Sequence, residues 1–166
     1  MSVVERDAIL ELLTRYYDAC SAGDADGVAA TVTGDVVHYF LAPNVGSAPV
    51  AGAEHLGRYW RKVQGMLDAR WVVDRLVADG DEAVIEWTMF WTPQGEPGRV
   101  ATRGAEWFAL RDGRIAEIRS YYRQEPATTE LEGFPYAERG YSAHGREYSA
   151  LHGATEAARP AGSRSA

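Results

Sequence analysis

The chain has 166 residues, 46% of them hydrophobic and 25% charged, with a formal net charge of −7. That length fits one domain whose core needs neither disulfides nor a structural metal. The acidic balance, without any Lys/Arg-rich run, excludes nucleic acid and anionic membrane as expected partners, and the single cysteine, Cys20, excludes an intrachain disulfide and a cysteine-built zinc cage.

The N-terminus, MSVVERDAILELL, is amphipathic and acidic, unlike a secretory signal. No apolar run in the chain approaches the ~20 residues of a transmembrane helix, so a cytoplasmic protein is expected. Residues 5–22 carry helical periodicity, with Ile9, Leu12, Leu13, Tyr16, Tyr17 and Cys20 on one broad face. Gly23 is placed to stop that helix, and Asp24 to cap a short one in DADGVAATV. DVVHYFL reads as a strand and APNVGSAPVAG as a loop. AEHLGRYWRKVQGML is a second strong helix with an apolar stripe of Leu56, Trp60, Val63 and Leu67.

The period then switches to two. RWVVDRLVA, EAVIEWTMFW, RVATRGAEWFALR and RIAEIRSYYR read as strands joined by DGD, TPQGEPG and DG turns. Helices followed by a meander of strands predict an α+β fold rather than alternating βαβ units. The domain is expected over 1–127. An aromatic extension over 128–150 is expected to pack on the domain or a partner, and 151–166 reads as a disordered tail.

The segments AILELLTRYYDACSAGDADGVAATVTGDVVHY, GAEHLGRYW, ADGDEAVIEW and RGAEWFALRDGRIAEIRSYY, in this order and spacing, resemble the nuclear-transport-factor-2-like superfamily, in particular its SnoaL-like group, over roughly residues 5–124. The resemblance implies a cone: a curved antiparallel sheet (cystatin-like) wrapped on N-terminal helices, with a small-molecule pocket between them. It also implies a homodimer through the outer sheet face. The superfamily holds polyketide cyclases, ketosteroid isomerases, dehydratases, epoxide hydrolases and non-enzymatic members, so the fold alone does not fix a reaction.

Strand alternation sorts the candidates. Glu106 shares a face with Phe108 and Leu110, where a carboxylate is costly unless paired or kept neutral. It reads either as a general acid or base or as a satisfied buried acid. Ser120 and Tyr122 fall with Ile118 on the register that the resemblance turns toward the pocket. Resemblance also turns His38 inward near the mouth, where an imidazole pairing with Glu106 or Asp74 would serve proton transfer; a structural histidine is the other reading. Asp74 lies between two apolar sets, Val72/Leu76/Ala78 and Trp71/Val73/Val77, so its direction stays open. By the resemblance Tyr17 and Cys20 match pocket-lining positions. Tyr17 could donate to a developing enolate, and Cys20 forms a small wall. Trp60, Val63, Trp71, Trp87 and Met89 complete an expected aromatic chamber. Glu86, Arg103 and Arg119 are expected to form a cross-strand charge ladder on the outer face.

Two chemistries of the superfamily are missing from the residues. Where the limonene-epoxide-hydrolase type requires inward Arg and Asp residues, this chain has Trp87, Met89 and Ser120. The Asp–His dyad of the dehydratase type finds Asp24 but Trp71 or Val72 in place of histidine. No P-loop, dinucleotide fingerprint, GxSxG or HExxH occurs, and His38, His55, His144 and His152 are not spaced as metal ligands. The expectation is a cofactor-free, metal-free lyase, isomerase or cyclase acting on a hydrophobic carbonyl compound. His38, Glu106, Asp74 and Tyr17 are its candidate catalytic groups. The alternatives are a non-catalytic binding or assembly protein, or a hydrolase holding water between Asp74 and Glu106.

Overall fold

The protein is described from a computed structural model covering residues 3–44 and 46–151. The tail after Leu151, read above as disordered, lies outside the described residues. The elements are α1 (Val3–Ala22), α2 (Ala25–Thr31), β1 (Val32–Phe40), β2 (Val50–Ala51), α3 (Ala53–Leu67), β3 (Arg70–Asp79), β4 (Glu82–Trp91), β5 (Val100–Arg111) and β6 (Arg114–Tyr121). Helix boundaries follow the local chemistry. Gly23, at φ 66°, ends α1, and the Asp24 side chain accepts a hydrogen bond from Gly27 N at 2.9 Å, which caps α2.

The six strands form one sheet in the order β2-β1-β6-β5-β4-β3. β3 to β6 are the antiparallel meander expected from the turns, and Asp112 and Gly113, both at positive φ, make the tight turn between β5 and β6. The sheet is mixed, however, because β1 runs parallel to β6. The long passage from β1 through α3 and the meander returns the chain beside β1 in the same direction, a pairing no hairpin can make.

The helices cover the inner face. Leu12, Leu13, Tyr16, Tyr17 and Cys20 of α1, and Leu56 and Trp60 of α3, enter one core with Ile85, Trp87, Phe108, Ile115 and Ile118 of the sheet. Two glycines allow close approach. A Cβ on Gly57 would stand 2.4 Å from the carbonyl oxygen of Ala25, so α3 meets α2 backbone to backbone. A Cβ on Gly104 would stand 2.6 Å from the Trp87 ring, so that ring packs directly against the β5 backbone.

β3 departs from simple alternation. Val73 pairs with Trp87 but Arg75 pairs with Glu86, so Asp74 is the extra residue of a bulge. The two faces expected from period two are therefore spliced. Trp71, Val73 and Leu76 are buried with the main core, whereas Val77 is 72% exposed. Val72 belongs instead to a second small cluster with Phe90 and Ala101 on the outer face. The extension after β6 lies over that face: His144 meets the Phe90 ring edge-on, at 5.4 Å between centroids.

Candidate active site

Three neighbouring strands bring His38, Ser120 and Glu106 together on the inner face. Ser120 pairs with Phe40 on one side and Glu106 on the other, and Ile118 pairs with His38. The Ser120 hydroxyl donates to Glu106 Oε1 at 2.5 Å and lies 2.5 Å from His38 Nε2. All three are buried, His38 completely. His38 and Glu106 are 3.8 Å apart, too far for a direct hydrogen bond, so the serine is the bridge.

Burial sets the protonation of the chain's ends. Desolvation pushes Glu106 up to about 8, the Ser120 hydrogen bond opposing it, and desolvation pulls His38 down to about 3. At neutral pH both are uncharged, and their proximity is not an ion pair. Because Ser120 gives its proton to Glu106 Oε1, His38 Nε2 is the N–H that donates to Ser120, and His38 Nδ1 carries a bare lone pair. The carboxyl proton of Glu106 then sits on Oε2. Both atoms, His38 Nδ1 and Glu106 Oε2, are buried with no hydrogen-bond partner. A base and an acid thus stand at the two ends of one hydrogen-bonded line.

The surroundings are aromatic. His38 stacks on Phe40, at 4.1 Å between centroids, and meets Trp60 at 5.5 Å. The Trp60 indole donates to Tyr16 Oη at 2.8 Å, and Tyr16 is raised well above the usual tyrosine range by burial, then by Cys20 and Glu106. Trp87 packs against Tyr122, and its Nε1 is also buried without a partner. Tyr122 is raised by burial and by Tyr59 and Glu106.

The other residues singled out from the sequence divide into three groups. Cys20, Met89, Phe108 and Ile118 are packed core, and Val63 is half-buried beside it. Tyr17 and Trp71 instead line a cavity of about 320 Å³ between α1 and β3. Trp60 separates the two regions, with its ring 5.1 Å from Trp71 and 5.5 Å from His38. His38 is therefore inward but not at a mouth: it is 0% exposed and does not line this cavity.

Asp74 does not join His38 or Glu106. The bulge turns it to the outer face, where it accepts from Thr88 Oγ1 at 2.5 Å, Ser142 N at 2.7 Å and Ser142 Oγ at 3.2 Å. Arg103 donates to Thr88 Oγ1 and to the Ser142 carbonyl, pairs with Glu130 and lies over the Tyr136 ring. This buried network clasps the extension to the sheet. The expected charge ladder does not form, since Glu86 accepts from the Tyr141 hydroxyl and Arg119 pairs with Glu82 and Glu117. Sequence reasoning missed the clasp, because Ser142, which Asp74 binds, stands 68 residues further along the chain. It placed Ser120 inward but missed its bridging role. No group of three or more His, Cys, Asp or Glu among the described residues could hold a metal. Among them no helix is long and apolar enough to cross a membrane.

A curved six-stranded sheet with three helices on its inner face and a buried polar line between them defines a protein of the cystatin-like, nuclear-transport-factor-2-like class. The SnoaL-like domain family matches residues 13–118, and the chain belongs to that family. A protein of unknown function with a cystatin-like fold from Methylobium petroleophilum PM1 is 36% identical, covering 83% of this chain and 93% of that one, with a TM-score of 0.63. An LEH-like epoxide hydrolase from M. tuberculosis is 26% identical over 72% of this chain and 85% of that one, with a TM-score of 0.58. A hypothetical protein with a ketosteroid isomerase-like fold from Catenulispora acidiphila DSM 44928 shares the fold at 18% identity, a TM-score of 0.64, and 81% and 95% coverage. No curated protein sequence matches the chain.

Proposed function

We propose that this protein is a cofactor-independent isomerase, lyase or cyclase that uses general acid–base chemistry on a hydrophobic, enolisable carbonyl compound, polyketide- or terpenoid-like, of secondary metabolism. The observation that carries this reading is the Glu106–Ser120–His38 line, with an unpartnered base at one end and an unpartnered acid at the other.

In this mechanism His38 Nδ1 takes the proton α to the carbonyl. The C–H electron pair becomes the enol double bond, and the carbonyl oxygen takes the proton of Glu106 Oε2. That step would leave an imidazolium and a carboxylate, an ion pair that the buried aromatic surroundings tolerate poorly. The serine resolves it. His38 Nε2–H passes its proton to Ser120 Oγ as Ser120 passes its own to Glu106 Oε1, and both ends are neutral again. Glu106, rather than Tyr17, thus supplies the proton to the carbonyl oxygen, and its bare Oε2 then accepts from the enol hydroxyl.

The test is hydrogen–deuterium exchange at the α-carbon of a panel of aromatic and aliphatic ketones in deuterated water, followed by NMR. The wild type is expected to catalyse exchange on a member of the panel, with a rate that falls as pH rises through about 8, where Glu106 loses its proton. Glu106→Gln and His38→Phe should each lose about 10²-fold or more. Absence of exchange across the panel, or full exchange in both variants, would overturn the reading.

A second reading, a non-catalytic small-molecule binder, is favoured by one observation: the cavity at α1 and β3 does not reach His38 or Glu106. A hydrolase holding water between Asp74 and Glu106 gains no support, because the two carboxyls lie on opposite faces of the sheet. The homodimer expected from the resemblance is carried forward as a proposal for the uncovered part of the outer face. There Tyr39, Trp107 and Tyr121 are 43%, 39% and 54% exposed on adjacent strands.

A further inference from the structure

The cavity between α1 and β3 has three walls. One is a single stripe of α1, with Leu10, Thr14 and Tyr17 spaced at i, i+4 and i+7. The second is β3, through Trp71 and Val73. The third comes from the C-terminal extension, through Tyr148 and Leu151. That third wall lies outside residues 13–118, which match the SnoaL-like family, and it is held in place by contacts of this chain's own. Ser149 Oγ donates to the Val73 carbonyl at 2.8 Å, Glu147 lies 3.2 Å from Arg99 and 3.8 Å from Arg70, and the Asp74 clasp fixes Ser142 just upstream.

The chemistry of the walls narrows what the cavity can take. Its interior is apolar, and at about 320 Å³ it is near the lower end of small-molecule sites. Two hydroxyls on the α1 wall, Thr14 Oγ1 and Tyr17 Oη, are buried without a hydrogen-bond partner, and the Tyr17 side chain is almost wholly buried at 3% exposure. A buried hydroxyl without a partner is costly, so a ligand oxygen that accepts from it gains affinity. The rim carries Asp7, Glu11, Asp18 and Glu147 against Arg15 and Arg70, an acidic excess that repels anions.

We propose that this cavity is a binding site for a neutral apolar molecule bearing one carbonyl or ether oxygen. Tyr17 Oη donates to that oxygen, and the Glu147–Leu151 segment sets the size and shape accepted. The site is separate from the Glu106–Ser120–His38 line, none of whose members lines it, so its occupation does not depend on the acid–base reading.

Isothermal titration calorimetry on the full chain tests this with two matched probes, the neutral ketone 2-acetylnaphthalene and the anion 2-naphthoate. The ketone is expected to bind, and the anion at least about tenfold more weakly. Tyr17→Phe should weaken ketone binding about fivefold, the worth of one hydrogen bond. Tyr148→Ala, which alters a half-exposed side chain, should weaken it as well, and Leu10→Trp, which fills the space, should abolish it. Glu106→Gln should leave the affinity within about twofold. Thermal melts of each variant control for folding, and should Leu10→Trp fail to fold, Tyr17→Phe and Tyr148→Ala still decide the matter. Four results would overturn the proposal: no binding of the ketone, equal binding of the anion, unchanged affinity in both Tyr17→Phe and Tyr148→Ala, or loss of binding in Glu106→Gln. Loss of binding in Glu106→Gln would place the ligand at the acid–base line and refute a separate site. Failure of α-proton exchange with ketone binding intact would refute the catalytic reading alone.

Discussion

Titrating stability against pH should expose the two buried groups directly. Glu106 has a folded value raised from 4.5 to about 8, so the folded protein holds a proton there that the unfolded chain has released. Its contribution to stability is present below 4.5 and is lost as pH rises toward 8. His38 has a folded value lowered from 6.5 to about 3, so its contribution is present above 6.5 and is lost as pH falls toward 3. Each group changes stability by at most about 1.4 kcal/mol per pH unit. Between pH 4.5 and 6.5 the two slopes oppose each other and cancel, giving a plateau. From 6.5 to 8 only Glu106 acts, and the loss reaches about 2 kcal/mol, a large fraction of the ~5–15 kcal/mol typical of a domain. Urea unfolding followed by tryptophan fluorescence should show the midpoint falling by about 1 M across that interval. Glu106→Gln, whose amide keeps the neutral form's hydrogen bond to Ser120, should flatten that limb. A wild-type midpoint unchanged from pH 6.5 to 8, or an equal fall in Glu106→Gln, would refute the assignment of a neutral Glu106.

The clasp and the uncovered outer face can be tested separately. Asp74→Ala leaves Ser142 N, Ser142 Oγ and Thr88 Oγ1 without their buried acceptor and Arg103 without the carboxylate 3.8 Å from it, and should cost about 3–5 kcal/mol in urea unfolding; limited proteolysis should then cut first within 128–150. Trp107→Glu combined with Tyr121→Glu places charges in the exposed aromatic patch and should turn the proposed dimer into a monomer in sedimentation velocity, with the thermal midpoint held within a few degrees.

Much of the fold was legible because the local signals agree. The stripe of α1, the Asp24 cap and the Asp112–Gly113 turn each dictate one conformation, and the inward register of Glu106, Phe108 and Ser120 follows from alternation along β5 and along β6 beyond the shift at Ala116. Two features were not legible. The bulge at Asp74 is decided by distant partners, Thr88 and Ser142, which pull one extra residue outward, and period-two reasoning has no term for such a pull. The parallel pairing of β1 with β6 depends on the whole intervening chain closing up. The candidate site was half visible: His38, Glu106 and Ser120 were each placed inward, but which atoms bond followed only from the registers of three strands at once.

The bulge and the clasp also bear on the outer strand edge of the sheet. β3 is the last strand of the sheet, and a bare edge offers its amides and carbonyls to any other extended chain. Here the bulge breaks the flat line at Asp74, and Ser149 occupies the Val73 carbonyl while Ser142 docks beside it. The extension therefore shields a templating surface as well as the small Val72–Phe90–Ala101 cluster. A chain released from the clasp would present an unpaired edge and an apolar patch side by side, so the segment from Ser142 to Ser149 covers both while also walling the cavity.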